Sequence, residues 1–234
     1  HSLPMGEPDE IAARARYLAD QGYKTLKAKI GRDIEADFSV LQALRNELGN
    51  EITLRADANM GWSSAKEAVR KIEKIAVFDL ELVEQPLPPD DLDGLRFIRE
   101  RVDIPIMADE SVWTPADAMN CIRCQAVDIF NVYVAEAGGL GAAARIFAIA
   151  EAAHLPCIIG SMPELGIGTA AQAHLAFAMP NLGYASDING CLYHSGDVIH
   201  EKLPIEDGYI LPPSGPGLGI SLDEAALAEY RIDR

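Results

Sequence analysis

The chain has 234 residues, of which 49% are hydrophobic and 24% are charged. This length and composition suffice for one large domain with a buried core, and they disfavour an intrinsically disordered chain. The 36 acidic residues outnumber 20 basic ones, for a formal charge of −16, which argues against nucleic acids and anionic lipids as partners because like charges repel.

The sequence contains no signal for a membrane or a disulfide framework. No stretch approaches the roughly 20 apolar residues of a transmembrane helix, and the first residues do not resemble a secretory signal, so we expect a soluble, cytoplasmic protein without a membrane partner. Four cysteines in a chain of this length do not indicate a disulfide framework. Cys121 and Cys124 lie on a predicted helix without a second pair or a suitably spaced histidine, so we expect ordinary packing there.

Short apolar runs alternate with longer amphipathic segments along nearly the whole chain, which predicts repeated βα units on a parallel sheet. Pro115 and Ser63 are suitable residues for helix starts. Strands are predicted at residues 25–30, 52–57, 80–84, 104–109, 128–134, 156–160 and 184–187. Helices are predicted at residues 8–20, 35–48, 63–75, 91–101, 115–123, 140–153 and 166–178.

This order of elements predicts an α/β fold of the TIM (β/α)₈ barrel type, one strand short of eight. Because the chain opens on a helix, we expect the first strand to be missing or to survive only as residues 1–3. An open doubly wound sheet is the alternative, but the glycine-rich stretch at 138–141 has the wrong spacing and position for a dinucleotide turn. We expect a barrel domain at 1–204 and an extended C-terminal segment at 205–234.

Charged side chains end four consecutive predicted strands: Lys27 and Lys29, then Asp57, then Glu84, then Asp109. In a TIM barrel the C-terminal strand ends converge on one mouth, where the active site lies. Three neighbouring carboxylates repel one another unless a cation lies between them, and oxygen ligands in this number suit Mg²⁺. A solvated carboxylate or helix cap explains one such residue well, but it explains three in consecutive units poorly.

The two lysines are separated by one residue, so on a strand both side chains point to the same face. Each would sense the positive charge of the other and of the metal, which favours a neutral amine that can act as a general base. A base beside a divalent cation suits removal of the proton next to a carboxylate, because the cation stabilises the charge that develops on the carboxylate oxygens. A K-x-K pair taken alone more often marks a solvated strand.

Six short motifs occur in order along the chain: K-A-K-I-G at 27–31, R-A-D-A-N at 55–59, E-Q-P at 84–86, P-I-M-A-D-E-S at 105–111, G-G at 138–139 and S-M-P-E-L-G-I-G-T at 161–169. Together they resemble the muconate-lactonizing enzyme and mandelate racemase-like branch of the enolase superfamily, whose sites use a Lys or His base with Mg²⁺. The resemblance implies the C-terminal barrel domain of a protein whose N-terminal capping domain is missing here. The C-terminal segment would return to that cap.

The resemblance also implies roles for individual residues. It implies Lys29 as the acid/base catalyst and Asp57, Glu84 and Asp109 as ligands of Mg²⁺, with a small-molecule carboxylate as substrate and a homo-oligomeric assembly. Neighbours of the ligands, or contacts to the substrate, would be Asn59, Glu110, Glu164 and Asp187. Turn chemistry and helix capping are the alternative for these neighbours.

One position departs from the branch. Where relatives have a lysine on the sixth barrel strand, this chain has Tyr133, and a phenol is a weaker base than an amine beside a cation. A one-base reaction is therefore favoured, with Tyr133 donating a proton or a hydrogen bond; a packed aromatic is the alternative. Residues 161–166 contain no histidine base, His154 and His174 lie on predicted helices, and His194 could line the mouth.

These residues lead to a functional hypothesis with two alternatives. We expect dehydration of a small hydroxy acid or hydroxy amino acid, with cis-3-hydroxy-L-proline as an example, in which Lys29 takes the α-proton, Mg²⁺ stabilises the enediolate, and Lys27 or Tyr133 assists the departing hydroxide. A racemase or epimerase of amino-acid derivatives such as proline betaines is the first alternative. A non-catalytic metal-binding barrel is the second.

Overall fold

The structure, a computed structural model, describes residues 1–232. Six parallel strands form one sheet in sequence order. They are β1 Thr25–Lys29, β2 Thr53–Asp57, β3 Leu80–Glu84, β4 Ile106–Ala108, β5 Ile129–Val132 and β6 Cys157–Ile159. The helices of the described chain are α1 Pro8–Asp20, α2 Ile34–Leu48, α3 Ala65–Ile75, α4 Leu92–Arg99, α5 Pro115–Cys124, α6 Leu140–Ala152, α7 Gly166–Ala178 and α8 Glu224–Tyr230.

Local chemistry explains where the helices begin. Thr114 and Asp117 form a reciprocal capping box at the start of α5, with Pro115 in the first turn as predicted, and this satisfies backbone amides that have no partner inside the helix. The predicted start of α3 at Ser63 is wrong by two residues. The side chain of Ser64 is the one that accepts a bond from the Glu67 amide.

Both faces of the sheet are buried. The outer face packs against the helices through fully buried residues such as Leu26, Leu54 and Phe130. The inner face contributes a second, smaller apolar cluster, which consists of Leu82, Met107, Ile129 and Ile158. Burial of each such side chain contributes roughly 1.5–3 kcal/mol. This inner cluster fills the barrel below the charged strand ends.

The two edges of the sheet are extended by short segments that bring these edges together. Ser2 forms a parallel bridge with Lys27, so residues 1–3 do run beside β1 as predicted for a surviving first strand. At the other edge Leu182 forms an isolated bridge with Cys157. The hydroxyl of Ser2 donates to Asp187 Oδ2 at 2.6 Å, which links the two edges into a curved, barrel-like ring.

The predicted strand at 184–187 is wrong as a regular strand. The backbone amide of Asp187 donates to the Ile159 carbonyl at 2.8 Å, but the Ile159 amide donates to the side chain of Ser186 instead of a backbone carbonyl. A side chain therefore replaces a backbone acceptor in the ladder. The segment runs beside β6 without becoming a strand by backbone pairing.

The prediction of an extended C-terminal segment is also wrong in part. Residues Ile205–Glu206 (β7) and Tyr209–Ile210 (β8) form an antiparallel hairpin, and Asp223 caps α8. The prediction of an extended segment was based on the prolines and glycines at 212–219. The hairpin precedes that stretch, and α8 follows it. Its last two residues, 233–234, lie outside the described part. Within residues 1–232 no helix combines the length and apolarity that a membrane span requires.

Candidate active site and metal centre

Strand register aligns the charged residues across the first three strands. Lys29 is level with Asp57, and Asp57 is level with Glu84. The register shifts between Leu54 and Ala56 where β2 pairs with β3, which brings the last residues of the two strands side by side. Asp109 directly follows β4. All four residues therefore meet at the C-terminal edge of the sheet, where parallel α/β sheets bind ligands.

Asp57, Glu84 and Asp109 form a compact carboxylate triad. One oxygen from each residue lies within 4.8 Å of the others, and all three side chains are buried. Burial and the nearby Glu84 and Glu110 carboxylates raise the pKa of Asp109 to about 9. A buried group of mutually repelling oxygens is stabilised by a divalent cation, and this all-oxygen set fits Mg²⁺.

The two lysines contact the triad from the β1 side. Lys27 Nζ lies 2.7 Å from Glu84 Oε2 and 3.6 Å from Asp57 Oδ2. Lys29 Nζ lies 2.6 Å from Asp57 Oδ2. The side chain of Lys27 is 8% exposed, whereas that of Lys29 is 27% exposed. Both lysines face the barrel interior, but Lys29 is the one that a molecule at the mouth can reach.

In the absence of a metal ion, the carboxylates beside Lys27 oppose the effect that was expected from its positive neighbours. Burial lowers its pKa, but the Glu84 and Asp57 carboxylates outweigh burial and raise the pKa of Lys27 above its ordinary value. The sequence argument considered the positive neighbours of the lysine and overlooked the carboxylates that it contacts. Lys27 is therefore a buried cation at this site.

Tyr133 faces the triad from the far wall of the sheet. Its hydroxyl donates to Asp109 Oδ2 at 3.0 Å, and the residue is 6% exposed. Burial and the Glu84 and Asp109 carboxylates raise the pKa of Tyr133 far above its ordinary value. The tyrosine is therefore a neutral phenol that donates a hydrogen bond.

Sequence reasoning missed Asn131, which lies two residues before Tyr133 and so points to the same face. Its Nδ2 donates to Glu84 Oε1 at 2.8 Å and contacts the Tyr133 hydroxyl at 3.3 Å. A side chain at Gly160 would collide with both residues, since its Cβ would lie 2.4 Å from Tyr133 Cζ and 2.5 Å from Asn131 Oδ1. The sequence did contain a signal for Asn131, since it is a polar residue on the predicted strand 128–134 and shares a face with Tyr133.

The remaining predicted site residues lie partly at the triad and partly away from it. Asn59 contacts Lys29, Asp57 and Glu110, so these neighbours do meet at the triad. Glu164 accepts bonds from Ser161 and the Met162 amide, which matches the turn alternative. Asp187 contacts Ser2 at the seam of the ring. His194, which follows α7, contacts the carbonyl of Pro163, so it is held against the loop after β6.

Comparison with known proteins gives matches over nearly the whole chain. A model of the enolase C-terminal domain-like family matches residues 10–226. The L-Ala-D/L-Glu epimerase of Bacillus subtilis is 40% identical over 94% of this chain and 60% of its own length. Muconate cycloisomerase 1 of Rhodococcus opacus is 35% identical over 98% of this chain and 62% of its own length.

Solved structures give the same picture. The substrate-liganded B. subtilis epimerase superposes with a TM-score of 0.89 at 40% identity, covering 94% of this chain and 61% of that chain. The dipeptide epimerase of Enterococcus faecalis in complex with Mg and L-Leu-L-Tyr superposes with a TM-score of 0.89 at 36% identity, covering 94% of this chain and 62% of the other. The chain thus spans about three fifths of the length of these relatives.

Proposed function

This chain belongs to the enolase C-terminal domain-like family, and we propose that it forms the catalytic barrel of an enzyme that removes the proton next to a substrate carboxylate. The observation that carries the proposal is the position of Lys29 Nζ, 2.6 Å from Asp57 in a buried carboxylate triad. The proposed roles are Lys29 as base, Asp57, Glu84 and Asp109 as Mg²⁺ ligands, and a small carboxylate as substrate. In the longer protein, a capping domain would cover the mouth.

Mg²⁺, held by the three carboxylates, would stabilise the negative charge that develops on the substrate carboxylate after proton loss. Lys29 is the better base because its amine is the more accessible of the two. Lys27 has a raised pKa through its contacts with Glu84 and Asp57, so its role is that of a fixed positive charge beside the substrate carboxylate. This arrangement assigns proton removal to Lys29 and the fixed positive charge to Lys27, two residues apart on one strand.

We place isomerisation first among the reaction outcomes, as the relatives are described as epimerases and cycloisomerases. Their names favour the epimerase alternative over dehydration of cis-3-hydroxy-L-proline. Epimerisation requires a second group to return a proton on the opposite side of the α-carbon. Tyr133 follows β5, four positions from β1 in the sheet, and supplies a neutral phenol for this step. The proposed substrate class is amino-acid derivatives, including dipeptides.

Dehydration remains the second candidate because of one observation. A buried phenol bonded to Asp109 stays neutral because burial and carboxylates disfavour its anion, so it donates a hydrogen bond and gives up its proton reluctantly. Such a group suits assistance to a departing hydroxide better than reversible transfer at carbon. The substrate would then carry a hydroxyl on the carbon next to the one that loses its proton.

One experiment with the full-length protein separates these outcomes. L-Ala-L-Glu, N-succinyl amino acids, a proline betaine and cis-3-hydroxy-L-proline are incubated with the Mg²⁺-loaded protein in D₂O, and products are followed by NMR and mass spectrometry. Deuterium in an epimerised product supports isomerisation, whereas loss of water from the hydroxyproline supports dehydration.

The Lys29→Ala variant provides the control for catalysis, with Lys66→Ala as a matched exposed lysine on α3. We expect Lys29→Ala to bind Mg²⁺ and to lose exchange, while Lys66→Ala retains both. Exchange that survives in Lys29→Ala would remove this lysine from the mechanism. A wild-type protein that binds Mg²⁺ but exchanges no α-proton in any of these carboxylates would favour the non-catalytic barrel.

A further inference from the structure

Asn59 lies between Lys29 and Glu110 at the edge of the triad. Its Oδ1 accepts a bond from Lys29 Nζ at 2.7 Å, and its Nδ2 faces Glu110 Oε1 at 3.4 Å. An ammonium group on one side and a carboxylate on the other determine which end of the amide faces the lysine. The three side chains therefore form a chain of hydrogen bonds in which Lys29 donates to Asn59 and Asn59 donates to Glu110.

The backbone of Asn59 holds this side chain in place. Its φ of 40° lies in the left-handed region, where asparagine is among the few residues with a side chain that are commonly found. In this conformation its amide donates to Asp57 Oδ1 at 2.9 Å. The next residue, Met60, also has a positive φ of 62° and donates its amide to the Gln85 carbonyl at 2.8 Å. A fixed turn thus carries Asn59.

Lys29 has two side-chain partners, Asp57 and Asn59. Asp57 belongs to the metal triad, so the cation and the lysine share its carboxylate. Asn59 is outside that triad, so the lysine does not share the Asn59 side chain with the cation. Glu110 contributes a further constraint, because its Oε2 is buried without a hydrogen-bond partner and Asn59 is the side-chain partner of its Oε1.

From this geometry we propose that Asn59 is a positioning residue that aims the Lys29 amine at the substrate carbon, and that Glu110 sets the direction of the Asn59 amide. The inference rests on the proposed role of Lys29 as the base. The Asn59 side chain is not one of the three carboxylates proposed to hold Mg²⁺. Its removal therefore affects the rate of proton removal and leaves Mg²⁺ binding in place.

The backbone conformation suggests the variant for the test. Asn59→Gly removes the amide side chain and keeps the left-handed turn, since glycine adopts positive φ without strain. Met60→Gly is the matched control, because it places glycine at the adjacent position of positive φ and changes an exposed side chain. Exchange is followed with L-Ala-L-Glu and cis-3-hydroxy-L-proline in D₂O, Mg²⁺ affinity by calorimetry, and Lys29 reactivity by acetic anhydride labelling with Lys66 as internal reference.

In Asn59→Gly we expect kcat for exchange to fall about 10²-fold, the cost of a misplaced catalytic group, with KM and Mg²⁺ affinity unchanged. Acetylation of Lys29 relative to Lys66 rises because the amine has lost an oriented acceptor. Met60→Gly keeps the Asn59 side chain and should lose far less exchange than Asn59→Gly. Equal exchange and equal labelling in both glycine variants overturn the proposal, as does a loss of Mg²⁺ affinity that matches the loss of rate.

A charge-balanced pair of variants tests the direction of the chain. Asn59→Asp places two carboxylates against each other, whereas Asn59→Asp combined with Glu110→Gln restores a donor and an acceptor at the wild-type net charge. We expect the double variant to recover much of the exchange rate that the single variant loses. No recovery contradicts the role of Glu110. If the wild-type protein exchanges neither probe, the proposed function fails, and the labelling of Lys29 still decides whether Asn59 holds this amine.

Discussion

The hydroxyl of Tyr133 lies 3.0 Å from Oδ2 of Asp109 and donates a hydrogen bond to it. The bond connects the far wall of the sheet to the carboxylate triad. Asn131 contacts both the Tyr133 hydroxyl and Glu84, so two of the three proposed ligands are held by neighbouring polar side chains of one segment. Tyr133 is thus a fixed hydrogen-bond donor at this wall.

Tyr133→Phe removes this donor and keeps the aromatic ring. If the phenol protonates the substrate or the departing group, we expect the turnover rate to fall by about 10²–10⁴-fold, the usual contribution of a general acid. Steady-state kinetics of the full-length protein with the substrate found in the D₂O screen provide the measurement. Tyr209→Phe, at an exposed tyrosine of the β8 hairpin, is the control. Full activity in Tyr133→Phe would restrict the residue to packing.

Gly160→Ala tests the packing between Tyr133 and Asn131. The added Cβ would lie 2.4 Å from Tyr133 Cζ and 2.5 Å from Asn131 Oδ1, so one of them must move. Overpacking of this kind costs about 1–3 kcal/mol of the free energy of unfolding, and we expect activity to fall as well. Gly141→Ala is the control, since its Cβ has its nearest neighbour, Arg145 Nη1, at 3.9 Å. Urea denaturation in which both variants match wild type would contradict the packing argument.

The raised pKa of Asp109 predicts a pH dependence of the metal-free protein. The folded-state pKa of about 9 exceeds the ordinary value of 3.8, so the folded protein binds more protons than the unfolded chain between these values. The contribution of Asp109 to stability is therefore full below about pH 4 and is lost as the pH rises towards 9. Thermal unfolding in EDTA should show this decline.

Asp109→Asn removes the titrating group and should flatten that pH profile. Added Mg²⁺ should stabilise the wild-type protein most at the alkaline end, because the cation binds the carboxylate form. The same slope in Asp109→Asn and in the wild-type protein would show that other groups dominate the pH dependence.

Asp197→Ala tests how the start of α7 is held. Both oxygens of Asp197 accept from the Gly166 amide, at 3.0 and 2.9 Å, so a residue distant in sequence caps this helix. Loss of a cap costs about 0.5–2 kcal/mol, and we expect a reduction of that size in urea denaturation. Asp223→Ala, which removes the cap of α8, should cost less because α8 buries no residue. Equal losses of stability in the two variants would show that the cap on α7 contributes no more than the cap on α8.

The sequence alone identified the barrel class and the charged residues that end its strands. Apolar runs of four to seven residues separated by amphipathic helices are sufficient for this, because strand and helix periodicity are local properties. The spacing of Lys29, Asp57, Glu84 and Asp109 by one βα unit each then predicted a shared mouth. The structure brings these residues together, and their catalytic and metal-binding roles stay predictions.

Long-range contacts decided what the sequence could not. The segment at 184–187 has a strand-like composition, yet the Ser186 side chain takes the place of a ladder acceptor for Ile159. The protonation of Lys27 depends on Glu84, which is distant in sequence and 2.7 Å away in space. Both outcomes depend on partners from other strands, which periodicity and local propensity do not specify.

The sequence by itself determined which residue types stand at the strand ends, since each strand's pattern of apolar and polar residues depends on its own few positions. Only the tertiary structure decided that Asn59 bonds Lys29, that Tyr133 bonds Asp109, and that Gly160 leaves room for Tyr133. The physical reason is that hydrogen bonds and steric contacts act over a few ångströms in space, whatever the separation along the chain.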